Sequence, residues 1–185
     1  MEITYVFLGG LGNSEPDHWQ SIWYRSVQRG VWLAHDDWNH PKASDWIADL
    51  RNTLSSISGS KVLIAHSLGC LLAAAWARTA PREDILGAFL VAVPDVSAPC
   101  FPQSAVGFTP SREPLPLRAF VVASQNDPYA SFDYSERLAA DWQVSFVDVG
   151  AKGHINLQSG LEIWPAGCKL LEAFVADAAQ DLPSR

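Results

Sequence analysis

The sequence predicts an α/β protein, a single compact domain over residues 1–185 with about six mostly parallel strands and helices on both faces. Three observations predict it. Six short runs are almost continuously apolar, as strands buried on both faces are. Longer stretches with apolar residues three and four positions apart lie between them, and this alternation builds a parallel sheet wrapped by helices. Leu11, Ser67, Asp95, Asp127 and His154 each fall just after a strand-like run, where ligands bind in such sheets.

Ile3 to Leu8 forms the first strand and empties into Gly9-Gly10-Leu11-Gly12-Asn13, a loop whose glycines allow a close backbone approach. No phosphate-binding lysine or G-x-G-x-x-G spacing accompanies it. Pro16 to Gly30 reads as a helix, with Trp19, Trp23 and Val27 four apart and Gly30 as its stop. Val31 to Ala34 is a second strand, His35 to Pro41 a polar loop, and Ala43 to Ile57 a helix with Trp46, Ile47, Leu50 and Leu54 on one face. Val62 to Ala65 makes the third strand, and a helix of good formers begins at Leu68 and ends before Pro81. Ile85 to Val93 is the fourth strand. Pro94 to Pro116 then holds six of the twelve prolines and no periodicity, and a connection that long in a compact domain is usually functional. Leu117 to Ser124 is the fifth strand, Phe132 to Trp142 a helix, Val144 to Val149 the sixth strand, and Trp164 to Ala179 the last helix. Residues 180–185 are expected to fray.

With 48% hydrophobic and 18% charged residues, the composition is that of an ordinary globular protein. A net charge of −7 argues against nucleic acid or an anionic membrane surface as partner, and no apolar run is long enough to span a membrane. Eight tryptophans suggest that some line a pocket. The first ten residues lack the basic region of a signal peptide, and the widely spaced Cys70, Cys100 and Cys168 match no metal-ligand pattern. A cytoplasmic protein with three free thiols, no metal and no cofactor is expected.

The chemistry centres on Ala65-His66-Ser67-Leu68-Gly69, where strand runs into helix with no spacer. That geometry is the nucleophile elbow, which needs small residues two before and two after the serine. Alcohols are weak nucleophiles, so Ser67 requires a general base, and the base an orienting carboxylate. The chain order Ser67, Asp127, His154 is that of α/β-hydrolases. His154, behind the turn-forming Gly153, is the candidate base; His18, His35, His40 and His66 read as ordinary structural or surface residues. Asp127 is favoured as the carboxylate because its strand is next in sequence to the one that delivers His154, with Asp95 as its rival. The oxyanion donors would be the backbone N–H of Leu68 and, from the glycine loop, of Leu11.

Pro16-Asp17-His18-Trp19, Asp37-Trp38, Ala65 to Cys70, Ser124 to Tyr129 and Gly153 to Asn156 together resemble the small serine hydrolases grouped with retinoblastoma-binding protein 9. The resemblance covers nearly the whole chain. It implies the α/β-hydrolase fold without a cap domain and a Ser67-Asp127-His154 triad, but no substrate. The triad residues themselves point to cleavage of a small-molecule ester, thioester or activated amide through an acyl-enzyme. The pocket must then be roofed by loops, with Trp38, Phe101, Phe108 and Tyr129 as candidates. Acyl transfer uses the same residues. A binding module that recruits a protein partner is the alternative, although all three triad residues and their glycines are present.

Overall fold

The computed structural model describes residues 2–79 and 84–180. Six strands form one sheet: β1 (Ile3–Leu8), β2 (Gly30–Trp32), β3 (Ser60–His66), β4 (Ile85–Val91), β5 (Ala119–Ala123) and β6 (Ser145–Asp148). Their spatial order is β2-β1-β3-β4-β5-β6, and every pairing is parallel. The chain steps outward from β1 to β2, then returns across β1 to β3. The order therefore reverses between β1 and β3, which opens a crevice beyond their carboxyl ends.

Side chains alternate between the two faces, as the period of a strand requires. Val6, Leu8, Leu63 and Ala65 pack on one face with α2 (Ala43–Ser56), α3 (Leu68–Thr79) and α4 (Phe132–Trp142). Phe7, Val62 and Ile64 pack on the other with α1 (Trp19–Ser26) and α5 (Pro165–Gln180). Each helix has a local cause. His18 caps α1 by accepting the Gln20 N–H, Ser131 caps α4 by accepting that of Tyr134, and Pro165 opens α5 where a missing donor costs nothing. Among the described residues, no helix is long and apolar enough to cross a membrane.

The expected elements all form, with shifted ends. α1 is shorter than Pro16 to Gly30 because His18 caps it and Val27 is already extended. Gly30 is not its stop but the first residue of β2, paired with Tyr5. β4 ends at Val91 because Ala92 takes a left-handed conformation, φ 57°. A single 3-10 turn at Leu157–Ser159 escaped the periodicity, being three residues long. Residues 94–116 hold neither helix nor strand, only an isolated bridge from Val106 to Lys42. Pro81 and residues 181–185 lie outside the described residues.

The corner between β3 and α3 is the tightest place in the fold. A Cβ on Gly69 would stand 2.4 Å from the Leu8 carbonyl oxygen and 2.8 Å from that of Gly9. Backbone cannot yield as a flexible side chain can. Gly69→Ala gains about 1 kcal/mol of helix propensity. It should nonetheless lower stability by about 2 kcal/mol through overpacking, roughly 4–8 °C in Tm for a chain of this size. Thermal denaturation checks this, and a Tm at or above the parent's would mean that strand and helix stand farther apart.

Candidate active site

Ser67 sits on that corner with φ 53°, a left-handed value that a non-glycine residue adopts at a cost. Its N–H continues the sheet by donating to Val91 O at 3.0 Å, and its own carbonyl accepts Cys70 N–H at 2.9 Å as α3 begins. The hydroxyl is thus lifted clear of the strand. Ser67 Oγ lies 2.9 Å from His154 Nε2, and His154 Nδ1 lies 2.9 Å from both carboxylate oxygens of Asp127. A carboxylate only accepts, so Nδ1 carries the proton and Nε2 is free to accept the serine O–H. Both side chains are nearly buried, His154 at 8% and Asp127 at 4% exposure. Asp95, the rival carboxylate, instead accepts the N–H and O–H of Ser97 at 2.9 and 2.6 Å.

The loops after β5 and β6 bring Asp127 and His154 together by locking onto each other. Asn126 Oδ1 accepts Gly153 N–H at 2.7 Å, Ser124 Oγ accepts Lys152 N–H at 2.8 Å, and Gln125 N–H donates to Gly150 O at 3.0 Å. Gly153 and Ile155 have φ of 55° and 48°, which reverse the chain on either side of the histidine. Two side chains then hold the reversed loop from inside. Trp19 Nε1–H donates to Ile155 O at 2.7 Å, and His66 Nε2–H donates to His154 O at 2.9 Å. The His154 ring lies between Tyr129 and His66, with centroids 4.5 and 5.0 Å away.

A cleft of about 170 Å³ opens over Ser67. Its lining is apolar at Pro94, Phe101, Pro102 and Tyr129 and polar at Asn13, Glu15, His18 and Asn156. Gly10, Leu11 and Leu68 line its base beside the serine. Gly10 is required there, since a Cβ would stand 2.9 Å from that of Ser67. Among the described residues, no backbone carbonyl takes the N–H of Leu11 or Leu68. Of the four roof candidates, Phe101 and Tyr129 line the cleft, and Trp38 and Phe108 do not. Trp38 lies against Gly9 and Trp46, and Phe108 is buried edge-on to Trp46. No tryptophan lines this cleft; six of the eight are core residues, held inside by their large apolar area.

The sequence reading passed over His66 and His18, and both line the cleft. Only their adjacency to Ser67 and to the glycine loop hinted at it. Gln20 was missed too. It is fully buried, and its Nε2 donates to Leu8 O and Ile64 O at 2.9 and 2.8 Å, satisfying carbonyls where β1 and β3 part. Among the described residues, no group of three or more His, Cys, Asp or Glu is placed to hold a metal ion.

Burial pushes the His18 ring down to about 4, with the neighbouring His154 adding to the shift. It holds His66 well below the ordinary histidine range, with His154 and His18 adding to that shift. Both rings are therefore neutral in the native state and titrate near 6.5 when unfolded. The unfolded chain then binds protons that the native state refuses. Stability that is present above pH 6.5 should be lost as pH falls toward 4, about 3 kcal/mol from His18 alone. Thermal melts across that window should show Tm falling with pH; a flat profile would mean that the rings are solvated.

The sequence model of the serine hydrolase family matches residues 5–173. No curated protein matches the chain. Among solved structures it is similar to a YdeN-like hydrolase from Pectobacterium atrosepticum, at 30% identity and a TM-score of 0.85, covering 96% of this chain and 92% of that one. It is also similar to the ydeN gene product of B. subtilis, at 20% identity and a TM-score of 0.80, covering 95% and 100%. A thermophilic esterase from Thermogutta terrifontis shares the fold at 16% identity and a TM-score of 0.68, covering 96% and 91%. A match over nearly the whole length, with a relative 30% identical, decides the grouping: the chain belongs to the serine hydrolase family.

Proposed function

We propose that the chain cleaves compact esters, thioesters or activated amides through an acyl-serine intermediate, with Ser67 as nucleophile, His154 as base and Asp127 as its orienting carboxylate. The observation that carries this reading is the unbroken hydrogen-bond chain from Ser67 Oγ through His154 to Asp127, each link 2.9 Å, at the floor of an open cleft. In the first half-reaction His154 Nε2 takes the hydroxyl proton as Oγ bonds to the acyl carbon. The carbonyl oxygen becomes an oxyanion facing the Leu68 and Leu11 N–H groups. Asp127 stabilises the imidazolium, which then gives its proton to the departing alcohol, thiol or amine. Water repeats the sequence, with His154 again as base, and releases the acid. The cleft volume favours small acyl groups. The narrower grouping with retinoblastoma-binding protein 9 belongs to the same proposal and rests on the motifs themselves.

Ser67→Ala should lower kcat on a p-nitrophenyl ester by ~10⁶ while leaving the fold intact. Asp127→Asn should lower it by ~10⁴, since asparagine neither fixes the tautomer nor stabilises the imidazolium. Asp95→Asn should retain kcat. Steady-state kinetics of the three variants on one ester test the assignment, and a dead Asp95→Asn with an active Asp127→Asn would reverse it.

His66 supports the base through a hydrogen bond to the His154 carbonyl, so loss of that donor should fall on kcat rather than KM. His66→Phe keeps a ring but removes the donor, and misplacement of the base by an ångström costs up to about 100-fold in kcat. Unchanged kcat in the folded variant would leave Trp19 as sufficient support.

A further inference from the structure

The cleft has a charge character that the proposed triad does not explain. Among the described residues that line it, Glu15 is the one carboxylate and no lysine or arginine is present, while burial holds His18 and His66 neutral. Glu15 sits on the loop between β1 and α1. Its backbone is fixed there, since its carbonyl accepts His18 N–H at 3.0 Å and its neighbour Ser14 bonds Gln20 at 3.0 Å. The carboxylate is exposed and makes no ion pair among the described residues. Arg25, the basic residue of α1, donates to Pro16 O at 2.7 Å and does not line the cleft. The rings of Phe101 and Tyr129 line the same cleft. In a space of about 170 Å³, a molecule seated at Ser67 comes within reach of Glu15 and of these rings.

We propose that Glu15 makes this cleft selective for cationic acyl compounds: compact esters or amides carrying a protonated amine, with their apolar part against Phe101 and Tyr129. This rests on the hydrolase reading of the site and names its substrate class. Anionic substrates, including those bearing carboxylates or phosphates near the acyl carbon, meet an unpaired carboxylate and no balancing base. The net charge of −7 biases encounter in the same direction.

Three benzyl esters of similar size provide the test: glycine benzyl ester, N-acetylglycine benzyl ester and monobenzyl succinate, which are cationic, neutral and anionic at about pH 6.5. Released benzyl alcohol is measured at low ionic strength. The cationic ester should exceed the neutral one in kcat/KM by about fivefold, the upper end for an exposed ion pair, and the anionic ester should be poorest. Glu15→Gln should remove that cationic advantage, and added salt should shrink it in the parent. Asp17→Asn removes a charge from the same loop outside the cleft, and it should keep the ratio. Turnover without the charge order, or an equal change in both variants, overturns the selectivity and leaves the hydrolase reading standing. No turnover of any of the three overturns both.

Discussion

The closeness with which the end of β1 meets the β3–α3 corner governs the rest of the cleft. A methyl group on Gly69 would collide with the Leu8 carbonyl, and one on Gly10 with Ser67 itself. This approach puts the glycine loop beside the serine. It also forces Ser67 into left-handed backbone, which costs about 1–3 kcal/mol and persists only where neighbours over-determine it. They do so here. Ser67 is held at both its N–H and its carbonyl, and Gln20 closes the gap beneath by bonding the carbonyls of Leu8 and Ile64. The strain is local, and the groups that hold it come from β1, β4, α1 and α3.

The imidazoles beneath the cleft divide by environment. His18, His66 and His154 follow one another with centroids 4.8 and 5.0 Å apart, yet only His154 has a carboxylate partner. Burial keeps the other two neutral, so each acts by hydrogen bonding alone: His18 caps α1, and His66 donates to the His154 backbone. In the proposed reaction, a proton leaving Ser67 therefore has one favourable destination. Were either inner ring charged, it would repel the imidazolium across a low-dielectric gap and weaken the proposed base.

The sequence disclosed what depends on local pattern. β1 and α4 form over the predicted residues because a continuous apolar run and a capped amphipathic stretch each suffice to specify them. That Ser67, Asp127 and His154 fall just beyond strands was legible from an abrupt strand-to-helix change and strand-end loops, and the structure brings the three side chains within hydrogen-bond distance. His66 and Gln20 were not legible, since their partners lie far off in sequence: His66 bonds across 88 positions and Gln20 across 44. No periodicity records such a bond. Trp38 and Phe108 misled for the opposite reason. Their places after strands suggested a roof, but a large apolar ring next to open core is drawn inward by the area it buries.

The roof that forms instead is the proline-rich segment after β4, and its attachment explains why it can close the cleft without a cap. Val106 N–H donates to Pro41 O and Val106 O accepts Ala43 N–H, both at 2.9 Å, so the segment is sewn to the start of α2. Asp95 N–H donates to Tyr129 O at 2.9 Å, and Cys100 Sγ–H to Pro128 O at 3.0 Å, which ties its near end to the loop that carries Asp127. Phe101 and Pro102 are thereby fixed over Ser67 by backbone bonds rather than by a second core. Pro94, Phe101 and Pro102 reach the cleft from this segment, Asn13 and Glu15 from the loop before α1, and Tyr129 and Asn156 from the loops that carry Asp127 and His154. Substitutions at Phe101, Pro102 or Glu15, which make no bond to Ser67, His154 or Asp127, should therefore reshape what is bound and leave that hydrogen-bond chain in place.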